Sequence, residues 1–159
     1  MLAHNFGLTG RFRIEQVAVS QSSGETRIYY IAENASERLG RYVDVPALRG
    51  IASLDRNHVL KHLAPEYHSI IESDTVECLT VKELLKHNDI KQIDLLYIDA
   101  EGHDWIILQH FDFDFVRPKI VLFERDQLDK QDQEAARNMI QDAGYKMNAV
   151  ERDFLCVLK

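Results

Sequence analysis

The 159-residue sequence has few basic residues, few cysteines and no long apolar run. Its 19 Lys and Arg are outnumbered by 26 Asp and Glu, which gives a formal net charge of −7. A nucleic-acid backbone is therefore not expected as the main partner, because phosphate binding requires clustered basic residues. No segment approaches the roughly 20 apolar residues of a membrane helix, and the start lacks a charged leader followed by an apolar core. We expect no membrane partner.

Cysteine is also scarce. The two cysteines, Cys78 and Cys156, fall in segments that are predicted to be apolar strands. A disulfide framework is not implied by two such positions, and their pattern fits a reduced intracellular protein. We therefore expect a cytoplasmic location.

The most informative segment is a short apolar strand at 93–98 that ends in two carboxylates, a glycine and a histidine. The apolar run is followed by a glycine turn and a new helical pattern, which indicates a buried strand that leads into a helix. In open α/β sheets, ligands bind outside the carboxyl ends of the strands. Asp99, Glu101 and His103 are therefore predicted to lie at the mouth of a site.

The first half of the chain shows weaker patterns. Residues 1–7 resemble the last turn of a helix closed by glycine. Strands are predicted at 12–19 and 26–31, with a turn between them. Residues 33–74 have no sustained period and are interpreted as an insertion that contains a helix near 56–63.

The second half alternates strands and helices. Thr80 and Glu83 have the spacing of a capping box, which predicts a helix at 81–87. The other predicted elements are strands at 76–79, 93–98 and 120–123, helices beginning near Trp105 and over 132–143, and a closing antiparallel hairpin of 145–150 with 154–158. Strands that alternate with helices through short loops favour parallel strands joined by right-handed crossovers. The predicted fold class is α/β in a single domain over 1–159.

These segments together resemble the FkbM-type family of class I S-adenosylmethionine-dependent methyltransferases. The matching segments are 18–20 with Gly24 and Glu25, 52–54, 79–81, 93–103, 118–124, 144–145 and 153–154. The resemblance implies a Rossmann-like class I methyltransferase sheet, mostly parallel with a C-terminal antiparallel hairpin. It also implies S-adenosylmethionine as cofactor and a small-molecule hydroxyl acceptor, such as a sugar.

One expected part of this family pattern is missing. The glycine-rich cofactor turn and the acidic residue after the second strand would lie upstream of Met1, and the pair Gly7 and Gly10 follows no apolar strand. We expect the sheet to lack its first strands and the cofactor site to be incomplete, so that this chain alone binds S-adenosylmethionine weakly or not at all. The missing first strand would neighbour 93–98, so this strand is expected at a sheet edge, where self-association can occur.

Three residues are candidates for catalysis. Methyl transfer to a hydroxyl requires positioning of the acceptor and removal of its proton. Asp99 is the candidate that orients the acceptor or contacts the cofactor, and His103 is the preferred base because an ordinary histidine pKa is near 6.5. Glu101 is predicted to bind a hydroxyl or to share a divalent cation with Asp99. A metal is not the favoured interpretation.

Other candidates come from flanking segments. The resemblance implies that Ala18 and Val19 lie near the adenine of the cofactor, through backbone atoms. Glu124, at the end of the next strand, is a candidate for substrate binding. His58 and His62 have the i, i+4 spacing of a metal clamp on a helix, but no glutamate follows His58 directly. In the resembled family this insertion faces the acceptor, so both histidines are treated as substrate-side candidates.

Simpler readings remain open for the same residues. Asp99 could cap the following helix, Glu101 could stabilise its dipole, and His103 could lie half exposed on the first turn. Three functions follow from these choices: an O-methyltransferase acting on a hydroxyl of a sugar or polar metabolite, a non-catalytic remnant that serves as a binding or interaction module, or a metal-dependent hydrolase that uses these residues with His58 and His62.

Overall fold

The computed structural model describes residues 13–159, except for the side chains of residues 46, 47 and 49. The predicted helix end at 1–7, the glycine pair at 7 and 10, and the first residue of the strand predicted at 12–19 lie outside the described residues. The described strands form two sheets, one of three strands and one of four.

The three-stranded sheet contains β1 (Ala18–Val19), β2 (Gly24–Ile31) and β3 (Ile71–Leu79), in the order β1-β3-β2. β1 is parallel to β3, whereas β2 pairs antiparallel with β3 along its whole length. β1 and β2 are thus not paired with each other but lie on either side of β3.

Two predicted strand boundaries in this sheet are wrong. The strand predicted at 12–19 is limited to β1, because residues 13–16 are exposed and only Ala18 and Val19 pair with β3. β3 begins at Ile71 rather than residue 76. Its first half is polar and alternates between half-buried and exposed side chains, and it is held by antiparallel pairing with β2 rather than by an apolar run.

The four-stranded sheet contains β4 (Leu95–Ile98), β5 (Ile120–Glu124), β6 (Tyr145–Val150) and β7 (Asp153–Leu158), in the order β4-β5-β7-β6. β4 and β5 are parallel, and the other two pairs are antiparallel. The predicted closing hairpin is confirmed. The expectation of one mostly parallel sheet is wrong for the described strands, since the antiparallel pairs outnumber the parallel ones in two mixed sheets. β4 lies at an edge of its sheet, as expected.

Within residues 13–159, six α-helices connect these strands. They are α1 (Ala35–Leu39), α2 (Val45–Leu48), α3 (Arg56–Lys61), α4 (Val81–His87), α5 (Asp104–Gln109) and α6 (Lys130–Asp142). Two 3-10 segments, Arg49–Ile51 and Pro65–Ile70, complete the region between β2 and β3. The predicted capping box of α4 is confirmed, since Thr80 and Glu83 each accept from the other's backbone N–H. Within the described residues, no helix is long and apolar enough to cross a membrane.

Two main apolar cores hold the elements together. One lies between the four-stranded sheet and α6, and it includes Phe123, Phe154 and Ile140. The other packs β2 against α1 and α3, around Ile31 and Val59. Helices of the predicted insertion at 33–74 therefore share a core with β2, and α3 among them approaches the loop that follows β4.

Candidate functional site

The loop after β4 makes a tight left-handed turn. Glu101 has φ 45° and Gly102 has φ 85°, so two successive residues adopt conformations with positive φ. Such conformations are unfavourable for a residue with a Cβ atom and require support from the surroundings. Ser53, which is buried, gives this support by donating a hydrogen bond from Oγ to the backbone oxygen of Glu101 at 3.0 Å.

Gly102 is required at this turn for a second reason. A Cβ atom at this position would lie 2.5 Å from Nδ1 of His58 and 3.0 Å from its Cε1. His58 is only 5% exposed, on helix α3. The imidazole therefore packs directly on the glycine, and the turn holds α3 close to the carboxyl end of β4.

The other edge of the His58 ring faces a carboxylate. Its Nε2 lies 3.4 Å from Oε2 of Glu101, but this buried nitrogen has no partner with hydrogen-bond geometry. The His62 ring packs against His58 with a centroid distance of 4.6 Å and a tilt of 47°. The i, i+4 pair thus consists of one buried imidazole, His58, and one exposed imidazole, His62, in tilted contact with each other.

A cleft of about 420 Å³ opens at the carboxyl ends of β4 and β5. Its walls are mostly acidic, with one guanidinium and one imidazole. The lining residues are His62, Tyr97, Asp99, Glu101, Glu124, Gln127, Glu151, Arg152 and Asp153. Five carboxylates against one guanidinium give this cleft a strongly negative field.

The side chain of Glu124 is largely enclosed. It is 15% exposed, compared with 35% for Glu101, the other cleft carboxylate that lies beside a basic side chain. Burial raises the pKa of Glu124, Arg152 opposes this effect, and the nearby acidic side chains add to it. Arg152 bridges Glu124 at 3.0 Å and Asp126 at 3.1 Å. Glu124 is thus paired with a residue of a neighbouring loop, since Arg152 lies in the turn between β6 and β7.

His103 faces a different neighbour. Its Nε2 lies 2.8 Å from Oγ of Ser20, the residue that follows β1. Desolvation by burial lowers the pKa of His103, and the negative charge of Asp55 partly opposes this shift. A lowered pKa keeps the imidazole neutral near pH 7, so that it can accept a proton. The pair also joins the loop after β4 to the three-stranded sheet.

Asp104 is a buried carboxylate that binds the backbone on two sides of the site. It is 1% exposed, and its two oxygens accept from the backbone N–H of Ala100 at 3.2 Å and of Glu124 at 3.3 Å. Burial raises its pKa, and these hydrogen bonds oppose the shift. Asp104 thus ties the ends of β4 and β5 together. Asp104 is not among the site residues predicted from the sequence, although an Asp at a helix start next to an apolar run is a usable signal.

The cleft brings together four of the predicted site residues: Asp99, Glu101, Glu124 and His62. His58, His103, Ala18 and Val19 do not line it. His58 lies behind Glu101, and His103 contacts Ser20 next to the end of β1. Among residues 13–159, no group of three or more His, Cys, Asp or Glu is arranged to hold a metal ion.

The simplest reading of Asp99 as a helix cap is wrong. The residue at the N-cap of α5 is His103, which makes no side-chain capping bond. Asp99 instead accepts a hydrogen bond from the hydroxyl of Tyr97 at 3.2 Å, and its negative charge raises the pKa of Tyr97. Asp99 is exposed in the cleft and has carboxylate capacity left for a ligand.

No curated protein and no solved structure shows a significant match to the chain. The model of the methyltransferase FkbM domain matches residues 5–147, which include β1 to β5 and the whole loop from Asp99 to His103. Because this match spans most of the chain, the protein belongs to the FkbM methyltransferase domain family.

Proposed function

We propose that the protein is an S-adenosylmethionine-dependent O-methyltransferase that acts on a hydroxyl of a sugar or a similar polar metabolite. Its family supports methyl transfer. The observation that carries the proposal is that Asp99 and Glu101 line one cleft at the carboxyl end of β4. This is the side of an α/β sheet on which ligands bind.

The charge of the cleft supports a neutral or cationic acceptor. An acidic acceptor, such as a phosphate or carboxylate, would meet five carboxylates and only Arg152, whose guanidinium already bridges Glu124 and Asp126. Ionised carboxylates accept hydrogen bonds and suit the hydroxyl groups of a sugar well.

The same carboxylates are compatible with the cofactor. S-adenosylmethionine, when bound, supplies a methyl group on a positively charged sulfonium, and an acidic cleft stabilises a positive charge. Asp99 would face this charge, and Ala18 and Val19, at the end of β1, would contact the adenine through backbone atoms. The described residues contain no turn with two close glycines between a strand and a helix, which supports a cofactor site that these residues form only in part.

The geometry favours Glu101 over His103 as the proton acceptor. Glu101 lines the cleft, and Nε2 of His58 lies 3.4 Å from its carboxylate. A base must lie within hydrogen-bond reach of the proton that it removes. His103 does not line the cleft, and its Nε2 is already paired with Ser20. We therefore propose that Asp99 positions the acceptor and that Glu101 removes its proton. His103 then has a structural role, because its contact with Ser20 joins the loop after β4 to the end of β1.

The proposal is tested by transfer of a labelled methyl group from S-adenosylmethionine to a panel of neutral sugars. The cofactor is supplied at millimolar concentration, because the described residues form its site only in part. Glu101→Gln is expected to lower kcat/KM by about 100-fold or more, the usual range for loss of a general base, and Asp99→Asn is expected to raise KM for the acceptor. Asp114→Asn is the matched control, because this carboxylate is 97% exposed outside the cleft. Transfer that is unchanged in both cleft variants would refute the assignment.

We also propose a cytoplasmic location. Cys78 and Cys156 are both free and buried, and burial raises the pKa of each thiol, that of Cys156 to about 12. Two separate buried thiols that stay protonated fit a reducing compartment.

A second candidate function, an interaction module, is favoured by the exposed edge of the four-stranded sheet. β4 is an edge strand whose side chains Leu95 and Tyr97 are 54% and 55% exposed. An apolar edge strand is a template for pairing with another strand. We propose a second copy of this chain as its partner.

Sedimentation velocity over a range of protein concentrations tests this pairing. Leu95→Lys is expected to abolish a concentration-dependent dimer, since a charge on an edge strand opposes strand pairing. Val157→Lys is the control, because Val157 is 41% exposed in the interior strand β7 of the same sheet. Pairing through the edge is contradicted if both variants, or neither, lose the dimer.

A further inference from the structure

A second cavity lies next to the acidic cleft and differs from it in chemistry. Its volume is about 410 Å³, and its walls are mainly apolar and aromatic. The lining residues are Tyr42, Val43, Asp44, Leu48, His62, Leu63, Ala64 and Tyr67. Both cavities fall in the size range of small-molecule pockets.

His62 connects the two cavities. It lines both of them, at the C-terminal end of α3, and its ring is in tilted contact with the ring of His58. His58 is in turn fixed against Gly102 and beside Glu101. The wall between the cavities is therefore attached to the same loop that carries the proposed acceptor-binding carboxylates.

Tyr42 is the unusual residue of the second cavity. Its side chain is 82% exposed, the largest exposure among the exposed large hydrophobic residues of the described chain, while its neighbour Val43 is buried in the core. Tyr67 forms another aromatic wall, and the guanidinium of Arg41 lies 4.7 Å from its ring centroid. An exposed tyrosine next to a fixed aromatic wall is suited to cover an apolar or aromatic group, because tyrosine provides a large contact area with few rotatable bonds.

We propose that this cavity binds an apolar group attached to the acceptor, so that the acceptor is a glycoside or similar amphipathic molecule. Its hydroxyl-bearing sugar would lie in the acidic cleft, and its apolar aglycone would pass His62 and contact Tyr42, Leu48 and Tyr67. This inference rests on the proposed function of the acidic cleft and names the class of acceptor. The inference is carried by the contrast between the two sides of His62: five carboxylates line the cleft, whereas the second cavity has one carboxylate, Asp44, among mainly apolar and aromatic side chains.

The test compares three kinds of probe by ligand-observed NMR titration of the full chain: neutral methyl hexopyranosides, the matching phenyl hexopyranosides, and phenol. A phenyl glycoside is expected to bind about tenfold or more tightly than its methyl counterpart and than phenol, which corresponds to burial of a ring-sized apolar surface. Tyr42→Ser should remove most of this preference without changing the affinity for methyl glycosides. Ile90→Ser is the control, because Ile90 is 40% exposed and lines neither cavity.

The outcomes separate this inference from the proposed function. Equal affinity for phenyl and methyl glycosides, or a phenyl preference that survives Tyr42→Ser, would overturn the aglycone subsite and leave the acidic cleft as the proposed sugar site. Phenyl glycosides that bind no better than phenol, with no effect of Asp99→Asn, would instead overturn the placement of the sugar in the acidic cleft. That result would also refute the link between the two cavities through His62.

Discussion

The contact between Gly102 and His58 gives the sharpest test of how the site is held together. We expect Gly102→Ala to destabilise the protein through two separable effects. The positive φ of 85° is unfavourable for alanine, at about 1–2 kcal/mol for a left-handed residue. The new Cβ would also lie 2.5 Å from Nδ1 of His58, a buried imidazole that packs against His62, and such overpacking costs about 1–3 kcal/mol.

The expected total is therefore about 2–5 kcal/mol, a large fraction of the roughly 5–15 kcal/mol by which domains are stable. Gly40→Ala is the matched control. Gly40 also has a positive φ, of 60°, but no heavy atom lies within 4 Å of its added Cβ. This variant should lose only the backbone contribution, about 1–2 kcal/mol, and the difference between the two variants measures the clash.

Urea denaturation followed by circular dichroism measures both variants, and a double-mutant cycle with His58→Ala isolates the contact. In the His58→Ala background there is no ring for the new methyl group to meet, so Gly102→Ala should then destabilise no more than Gly40→Ala does in the unaltered chain. Equal effects of Gly102→Ala in both backgrounds would refute the reasoning. They would show that the backbone conformation alone requires glycine at this position.

Three further perturbations are expected to have defined effects on stability. Thr80→Ala removes the capping box with Glu83 and should lower the free energy of unfolding in urea by about 1 kcal/mol. Tyr145→Phe removes a buried hydroxyl that donates to the oxygen of Pro118 at 2.6 Å and should lower it by about 1–2 kcal/mol; an unchanged midpoint would mean that water replaces the bond. Because burial raises the pKa of Asp104, the folded protein binds this proton more tightly than the unfolded chain, so between the two pKa values stability should increase as pH falls. Asp104→Asn should lack this part of the pH dependence, and an identical profile would contradict it.

The second half of the fold was predictable because its signals are local. The capping box of Thr80 and Glu83, the apolar runs of β4 and β5, and the stop at Gly144 each act within a few residues. The structure places these elements within two residues of their predicted ends. Local preference and tertiary packing agree there, which is the condition under which sequence patterns are most reliable.

The first half was less predictable because its strands are defined by pairing rather than by apolar content. β3 begins in the largely polar segment from Ile71 to Asp74. No apolar pattern marks this segment as a strand, and it is a strand because it pairs with β2. Conversely, the β-rich segment before Ala18 contains no further strand among residues 13–17, since a suitable composition does not provide a neighbouring strand to pair with.

The pair His58 and His62 is a further example of a feature that depends on contacts between segments that are distant in the sequence. Their i, i+4 spacing is more typical of a solvated helix face than of a metal clamp. The structure buries the His58 ring against a glycine and leaves His62 exposed at the boundary of two cavities. What decides between these outcomes is the absence of a Cβ atom at Gly102, more than 40 residues away along the chain. The spacing of two histidines on one helix carries no information about Gly102. The close contact between α3 and the turn after β4 is visible only in the three-dimensional arrangement of the two elements. The substrate-facing role that we propose for this segment therefore depends on the turn and the helix together.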